Sequence, residues 1–488
     1  MFESWYASRP TPESAALLDR IREAGRSEAQ AAARRLVAVG ELFVSRLRDS
    51  GEQADWAMDT WEAVAAQVAA AQQCSIAMAS SYLRYAMALR DRLPKVGKAF
   101  QAGDIDYRAF QTVVFRTDLI SDAEALARVD ALLAVRLSRC PTLTRGRLAA
   151  EVDRVVARAD RDAVRRAREV IRDRFLDVDI AETGIAFVTG TVLATAGRAL
   201  DRRLDELAGT VCDADPRTRE QRRADALSAL TGGADRLVCG CGSADCDTAA
   251  RAGKSNVVIY VVAEQASVDG SGETPGVVLG AEGLIPADMV AELAKSAKLQ
   301  PLIPPADVPE PRYIPSAKLA DFVRSRDLTC RAPGCDRPAV DCDLDHTVAY
   351  HDGGWTHASN LKALCRKHHL LKTFGGWHDK QLPDGTVIWL LPDGRTYVTT
   401  PGSALLFPSL CVPTGELPPT DPDRTQPRCG DRTAMMPKRR RTRAQNRAHR
   451  INTERRHNRN ARESRQAQFV SYSGPAPPGG GDAEPPPF

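Results

Sequence analysis

Cys330-Arg331-Ala332-Pro333-Gly334-Cys335 opens a stretch that runs through Asp345-His346, Gly353-Gly354 and Asn360-Leu361 to Cys365-Arg366-Lys367-His368-His369. A turn rich in Pro and Gly can aim both sulfurs of the first pair inward. Cys365 and His368, at i and i+3 on an expected helix, share one face and can supply the other half of a tetrahedral site. The pairs are separated by a segment with little core of its own, which favours a staple. We read Cys330, Cys335, Cys365 and His368 as a closed structural Zn2+ site, with reduced thiols and a surface histidine as the plainer alternative. Cys342 alternates with Val340 and Leu344 and reads as a strand residue facing the core.

A closed site leaves Asp345, His346, Asn360 and His369 without a role. One step along a helix turns the side chain by about a hundred degrees, so His369 can face the strand end that carries Asp345-His346. Adjacent strand residues point to opposite sides, which divides the labour. Asp345 and His369 would hold a divalent ion with open positions, while His346 would take a proton from the attacking water, its pKa being close to neutral. Asn360, expected near the helix start, would orient the His346 ring or bind backbone across the loop. Such an ion would stabilise charge on phosphorus and on a leaving 3′ oxygen.

Asp345-His346, Asn360 and His369 resemble the three-part signature of the HNH, or ββα-metal, nucleases. The set Cys330, Cys335, Cys365 and His368 is similar to the zinc pairs many of them carry, with His368 standing where a second cysteine is usual. The resemblance implies nicking or double-strand cleavage of DNA with Mg2+, Mn2+ or a similar ion. More widely, the Ala- and Arg-rich first half, the phrase Gly280-Ala281-Glu282-Gly283-Leu284-Ile285-Pro286-Ala287 and the closing module resemble the 13E12 repeat family. Its members join a helical domain of unknown function (number 222) to such a nuclease, with no activity assigned to the helical part.

Outward from that module, 488 residues suggest two or three domains. Abundant Ala and Arg with 6% aromatics favour a mainly α fold with small β elements. Leu36, Val39, Phe43 and Leu47, and again Leu126, Val129, Leu133 and Leu137, recur at helical spacing and read as buried faces. Residues 185–192 and 257–262 read as strands of a small sheet on the bundle, and a helix is expected from Ile285 to about Leu299. The expected layout is a helical domain over 1–300, a semi-rigid Pro-rich linker over 301–315 and the nuclease module over 316–400. That module closes on a hairpin around Pro392-Asp393-Gly394, and a disordered basic and Pro/Gly-rich tail over 415–488 follows.

Between Arg432 and Arg465 thirteen Lys or Arg face two acids, so the net charge of +4 conceals a negative remainder. Lys438, Arg439, Arg440 and Arg441 would neutralise DNA phosphates without reading sequence, or else belong to a solvated tail. Arg366, Lys367 and Lys372 are equally phosphate contacts or a solvated helix face. Trp355 and Trp377 read as small-core residues. Cys239, Cys241 and Cys246 offer three thiolates that, with Cys212 or Asp245, would make a second metal site, or else are free thiols. Twelve cysteines in this length and no leader pattern point to a reducing cytoplasm, and no run suits a bilayer. The sequence thus supports a DNA endonuclease first. A non-catalytic zinc-stapled nucleic-acid-binding protein comes next, and then a scaffold in which the helical half binds a protein partner or itself.

Overall fold

The computed structural model describes residues 11–139, 144–165, 175–180, 186–243, 246, 260–279, 284–295, 297–415, 417 and 436–472. Seven helices build the first half: α1 (Pro12–Ser50), α2 (Thr60–Gln72), α3 (Ile76–Met87), α4 (Pro94–Ala102), α5 (Tyr107–Thr117), α6 (Ala123–Arg139) and α7 (Arg145–Ala159). Their starts follow local chemistry. The Thr11 and Ser14 side chains cap α1 reciprocally, and Asp59, Ser75 and Asp106 accept from the first turns of α2, α3 and α5. Both apolar stripes lie in one core, where Leu36, Val129 and Leu133 meet Leu83, Phe100 and Phe110.

The next segment is thinly packed. Strands β1 (Phe175–Ile180) and β2 (Ala186–Thr191) form an antiparallel ribbon, and Phe175, Leu176, Val178, Phe187 and Val188 are exposed. This ribbon is therefore not the sheet expected to pack on the bundle. Helices α8 (Ala194–Ala208) and α9 (Arg219–Thr231) pair through Arg223 with Asp201 and Asp205. Strand β3 (Tyr260–Val262), helix α10 (Gln265–Val268), strands β4 (Gly276–Leu279) and β5 (Leu284–Ile285) and helix α11 (Ala287–Ala294) follow, with strand order β3-β4-β5. Residues 257–259 and 280–283, and with them part of the quoted family phrase, lie outside the described residues.

The Pro-rich segment is fastened rather than free. Glu310 N–H donates to Thr356, His357 Nε2 meets the Ala306 carbonyl at 3.0 Å, Tyr350 donates to Pro311, and the Glu310 carboxylate accepts from Ser316. A spacer role ignored the carbonyls and carboxylate that this segment offers to the module. Helix α12 (Ala317–Asp327) then leads to strands β6 (Asp343–His346) and β7 (Leu361–Leu364), antiparallel, and to helix α13 (Arg366–Phe374). Strands β8 (His378–Gln381), β9 (Val387–Leu390) and β10 (Thr396–Thr399) close the module in the order β10-β9-β8, with the expected hairpin at residues 391–395. Cys342 is buried as expected but precedes β6 by one residue.

Two departures concern the whole chain. Helix α2 is buried on two sides: Val64, Ala65, Val68 and Ala69 sit in the bundle core, while Ala66 and Ala70 join Cys330, Trp377, Trp389 and Met436 in the core of the module. The parts expected as separate domains therefore share packing. In addition, residues Arg443–Tyr472 of the expected disordered tail form helix α14. Its arginines meet acids of the bundle, Arg443 with Asp59 and Glu62, Arg447 and Arg450 with Asp118, Arg455 with Asp160, and Arg459 and Arg462 with Asp162. Low hydrophobicity argued for disorder, but the helix needs little apolar burial where a complementary charge surface receives it; among the described residues of α14, Ile451 alone enters the core. Among the described residues no helix is long and apolar enough to cross a membrane.

Candidate functional site

Two loops and one helix bring the first donor set together. The Cys330 N–H donates to the Arg337 carbonyl and the Cys335 N–H to that of Ala332, which folds the knuckle back on itself. Gly334 at its apex has φ +70°, and a Cβ there would lie 3.0–3.1 Å from the carbonyl oxygens of Cys74 and Ala69. Glycine thus serves both the left-handed turn and the close approach to the end of α2. Cys365 caps the start of α13, its N–H donating to Cys330 Sγ at 3.3 Å. One turn later His368 Nδ1 stands 3.3 Å from Cys365 Sγ and 3.5 Å from Cys330 Sγ, and Cys335 Sγ lies 4.0 Å from Cys365 Sγ.

All four donor atoms fall within 4.8 Å of one another, and Cys330, Cys365 and His368 are buried. This group can hold a metal ion such as zinc. Burial raises Cys330, and neighbouring Cys330 together with Cys365 raises Cys335, while Cys365 is lowered by donation from both other thiols and from His368. Binding such an ion would require all three cysteines as thiolates, with release of their protons.

The second set lies on the other face of the same elements. Asp343 and Asp345 project from the same side of β6, two residues apart, and His346 points away. His369 Nδ1 is 2.9 Å from Asp343 Oδ2, and its Nε2 is 3.6 Å from Asp345 Oδ1. The structure thus brings Asp345 and His369 together, as expected. Sequence reading passed over Asp343, although the alternation Asp343-Leu344-Asp345 was there to find it.

Two lysines were also not foreseen in this place. Lys362 stands directly across the strand pair from Asp345 and is fully buried. Lys362 and Lys372 each donate to Asp345 Oδ2 at 2.6 Å, and both also face Asp379. Lys372 therefore points inward, against either expectation for it, because two buried carboxylates and the carbonyls of His346 and Thr347 attract its ammonium group. Burial opposes ionisation of Asp345, yet the two lysines outweigh it and hold the carboxyl below its ordinary value.

His346 is 6% exposed, its Nε2 2.9 Å from Thr356 Oγ1 and its ring stacked on Tyr313 at 5.3 Å. Burial pushes this imidazole down to about 4, with Lys362 and Lys372 assisting and Asp345 opposing. The ring is neutral at pH 7, and its value lies below the near-neutral one expected for it, because burial disfavours the charged form. Asn360 lies on a short turn before β7, not at the helix start. Its Oδ1 accepts from Val348 N–H, and its amide donates to the carbonyls of Val348 and Trp355. Of its two expected roles, bracing the loop is the one seen. Gly354 belongs to the same brace, since a Cβ there would collide with the Val348 carbonyl oxygen.

Arg366 is exposed beside Asp343, and Lys367 reaches Glu62 on α2. Lys438 pairs with Asp55 and Arg439 with Asp59, whereas Arg440 and Arg441 are exposed. Trp377 is a core residue 5.5 Å from the His368 ring, and Trp355 is half-buried. Arg326 and Asp327, both buried at the end of α12, were missed as well. Arg326 donates to the carbonyls of Ala358 and Leu361, and Asp327 accepts from Ala363 N–H, which clips β7 in place. Finally, Cys212, Cys239, Cys241 and Cys246 form a second group able to hold a metal, with Cys212 as the fourth donor and Asp245 outside the described residues.

A family model described as Domain of unknown function (DUF222) matches residues 23–327, running past the Pro-rich segment through α12. The chain is 43% identical over 500 residues to the uncharacterized protein Rv3776 of Mycobacterium tuberculosis, covering 96% of this chain and 93% of that one. It is 43% identical over 487 residues to the uncharacterized protein Rv2100 of the same organism, covering 91% and 88%. An uncharacterized protein in the est 3' region, also of Mycobacterium tuberculosis, is 39% identical over 338 residues, covering 64% of this chain and 96% of its own length. No solved structure matches.

Proposed function

The chain belongs to the DUF222 family, and since that description carries no activity, we propose from the chemistry of the site that the C-terminal module is a metal-dependent HNH endonuclease acting on DNA. The observation that carries this reading is His369, whose Nε2 faces Asp345 Oδ1 at 3.6 Å while Asp343 receives its other nitrogen. Two ligands of one ion, each about 2.1 Å from it, stand roughly 3.0–3.5 Å apart. A carboxylate behind a ligating imidazole is the usual arrangement for fixing its tautomer and direction.

In this reading Zn2+ on Cys330, Cys335, Cys365 and His368 holds the knuckle to α13 and thereby aims His369. Asp345 Oδ1 and His369 would hold Mg2+ or Mn2+, Oδ2 being engaged by the lysines. Bound there, the ion would stabilise charge on the phosphoryl and leaving oxygens. With Nε2 occupied by Thr356, His346 takes the proton from water through Nδ1 as the water oxygen bonds to phosphorus and the bond to the 3′ oxygen breaks. Asn360 keeps the intervening loop in register. Arg366, Arg440 and Arg441 are exposed and suited to backbone phosphates.

One observation favours a non-catalytic nucleic-acid-binding module instead: two ammonium groups share the carboxylate that would bind the ion, which opposes a second cation. Nicking of supercoiled plasmid DNA by the full chain with Mg2+ or Mn2+ separates the two. The expected result is nicking by wild type, loss of at least 100-fold in His346→Ala with bound zinc retained, and loss of zinc and of module stability in Cys330→Ser. Equal nicking by His346→Ala rejects the general base, and no nicking with any divalent ion leaves the binding module.

A further inference from the structure

We infer that Cys212, Cys239, Cys241 and Cys246 form a second, closed tetrahedral zinc centre that staples the α8–α9 hairpin to the loop that follows it. The four sulfurs lie within 4.8 Å of one another, and Cys212 Sγ and Cys239 Sγ are 3.4 Å apart. Zn–S bonds of about 2.3 Å in a tetrahedron place sulfurs roughly 3.8 Å from each other, so a small adjustment seats the ion. A disulfide would need about 2.05 Å and would use the sulfurs only in pairs.

The backbone around the sulfurs is built to hold them. Cys212 follows the end of α8, and Cys239-Gly240-Cys241 with Cys246 comes from the loop after α9. The two loops are locked by a buried carboxylate. Asp215 accepts from Gly240 N–H at 2.8 Å and from the Arg217 guanidinium at 2.7 Å, and Arg217 in turn donates to the Val238 carbonyl. Leu237 N–H donates to Thr210 Oγ1 across the same gap. Gly242, with φ +71°, turns the chain between Cys241 and Cys246.

Among its described residues this part of the protein also has little apolar core. Leu207, Ala226, Leu237 and Cys239 are buried, but none of them belongs to the three apolar core clusters among the described residues. The helices α8 and α9 are joined by ion pairs that are partly exposed, and solvent screening leaves such pairs with little net stabilisation. A structural zinc supplies folding free energy where a core is too small to do so. Four thiolates select a soft or borderline ion over Mg2+ or Ca2+, and loading releases the thiol protons to solvent.

The centre lies in the DUF222 part and does not rest on the nuclease reading. The test is metal content of the full chain, purified anaerobically with a thiol reductant. Wild type is expected to carry two zinc ions per chain, Cys241→Ser one, and Cys365→Ser one. Because a serine variant can fail to fold, wild type is also alkylated natively with iodoacetamide and mapped by mass spectrometry. The four thiols are expected to react at least tenfold more slowly before chelation with EDTA than after it. Alkylation of all four at the same rate with and without chelator overturns the inference, as does finding them joined in disulfides despite the reductant, or bound to iron. Loss of plasmid nicking with two zinc ions still bound overturns the nuclease reading alone.

Discussion

His346 shows how one side chain's surroundings set its chemistry. A free imidazole titrates near 6.5, whereas burial under Tyr313 and beside two lysines carries this one down to about 4. The sign follows. The folded ring resists a proton that the unfolded chain accepts, so stability falls as pH drops from about 6.5 to about 4 and is level above that window. Ring-proton NMR of the full chain should give a midpoint near 4, with the neutral form kept through pH 5; a midpoint near 6.5 would show that burial and the two lysines do not lower it. At this scale the sequence was informative about identity and poor about partners. Asp345, His346, His369 and the Cys/His set were legible because ligand spacing is local. Lys362 and Lys372 were not, because nothing near either in the chain announces that Asp345 and Asp379 will meet them.

At the scale of the element, the knuckle and α2 are coupled. Helix α2 reads Thr60-Trp61-Glu62-Ala63-Val64-Ala65-Ala66-Gln67-Val68-Ala69-Ala70-Ala71-Gln72, apolar nearly all round, which is the pattern of a helix covered on more than one side. Its C-terminal carbonyls touch Gly334. Gly334→Ala forces a side chain into a left-handed turn and against two backbone oxygens, at a cost of roughly 1–3 kcal/mol. Denaturant unfolding should show that loss, with an equal loss in the midpoints of the bundle and the module because they share α2. A shift confined to the module would mean that the packing across α2 contributes little. Helix periods, caps and the hairpin at 391–395 were readable from local pattern. The placement of α2 between two cores was not, since periodicity reports how much of a helix is buried and not which partners bury it.

For the whole molecule, helix α14 decides how its parts are held. It sets at least six arginines against Asp59, Glu62, Asp118, Asp160 and Asp162 on the bundle. Arg165 returns the contact by pairing with Glu454 of α14. Against burial, arginines of α14 hold Asp118 and Asp162 below their ordinary values, and Lys367 followed by Arg443 does the same for Glu62. A depressed carboxyl contributes fully above its ordinary value and loses that contribution as pH falls from there through its lower folded one, so docking should hold at pH 6 and weaken only as pH drops below the ordinary carboxyl range. Raising salt from 0.1 to 1 M shortens the screening length from about 10 to about 3 Å. Hydrogen exchange over residues 443–465 should therefore quicken with salt, and further in Asp118→Asn. Protection that ignores both would show that Ile451 and the helix backbone suffice.

The sequence by itself determined what is written in short range: a mainly helical chain, the amphipathic stripes, the strand, turn and helix chemistry of the module, and the residue types able to ligate a metal. Tertiary structure decided which of these meet. It put α2 in two cores, tied the Pro-rich segment down, joined Cys212 to a loop beyond α9 and gave a basic helix an acidic seat. The physical reason is range. Backbone propensity, capping and ligand spacing act within a few residues, whereas ion pairs and shared cores join residues up to hundreds of positions apart, and their energy depends on burial that exists only once the chain has folded.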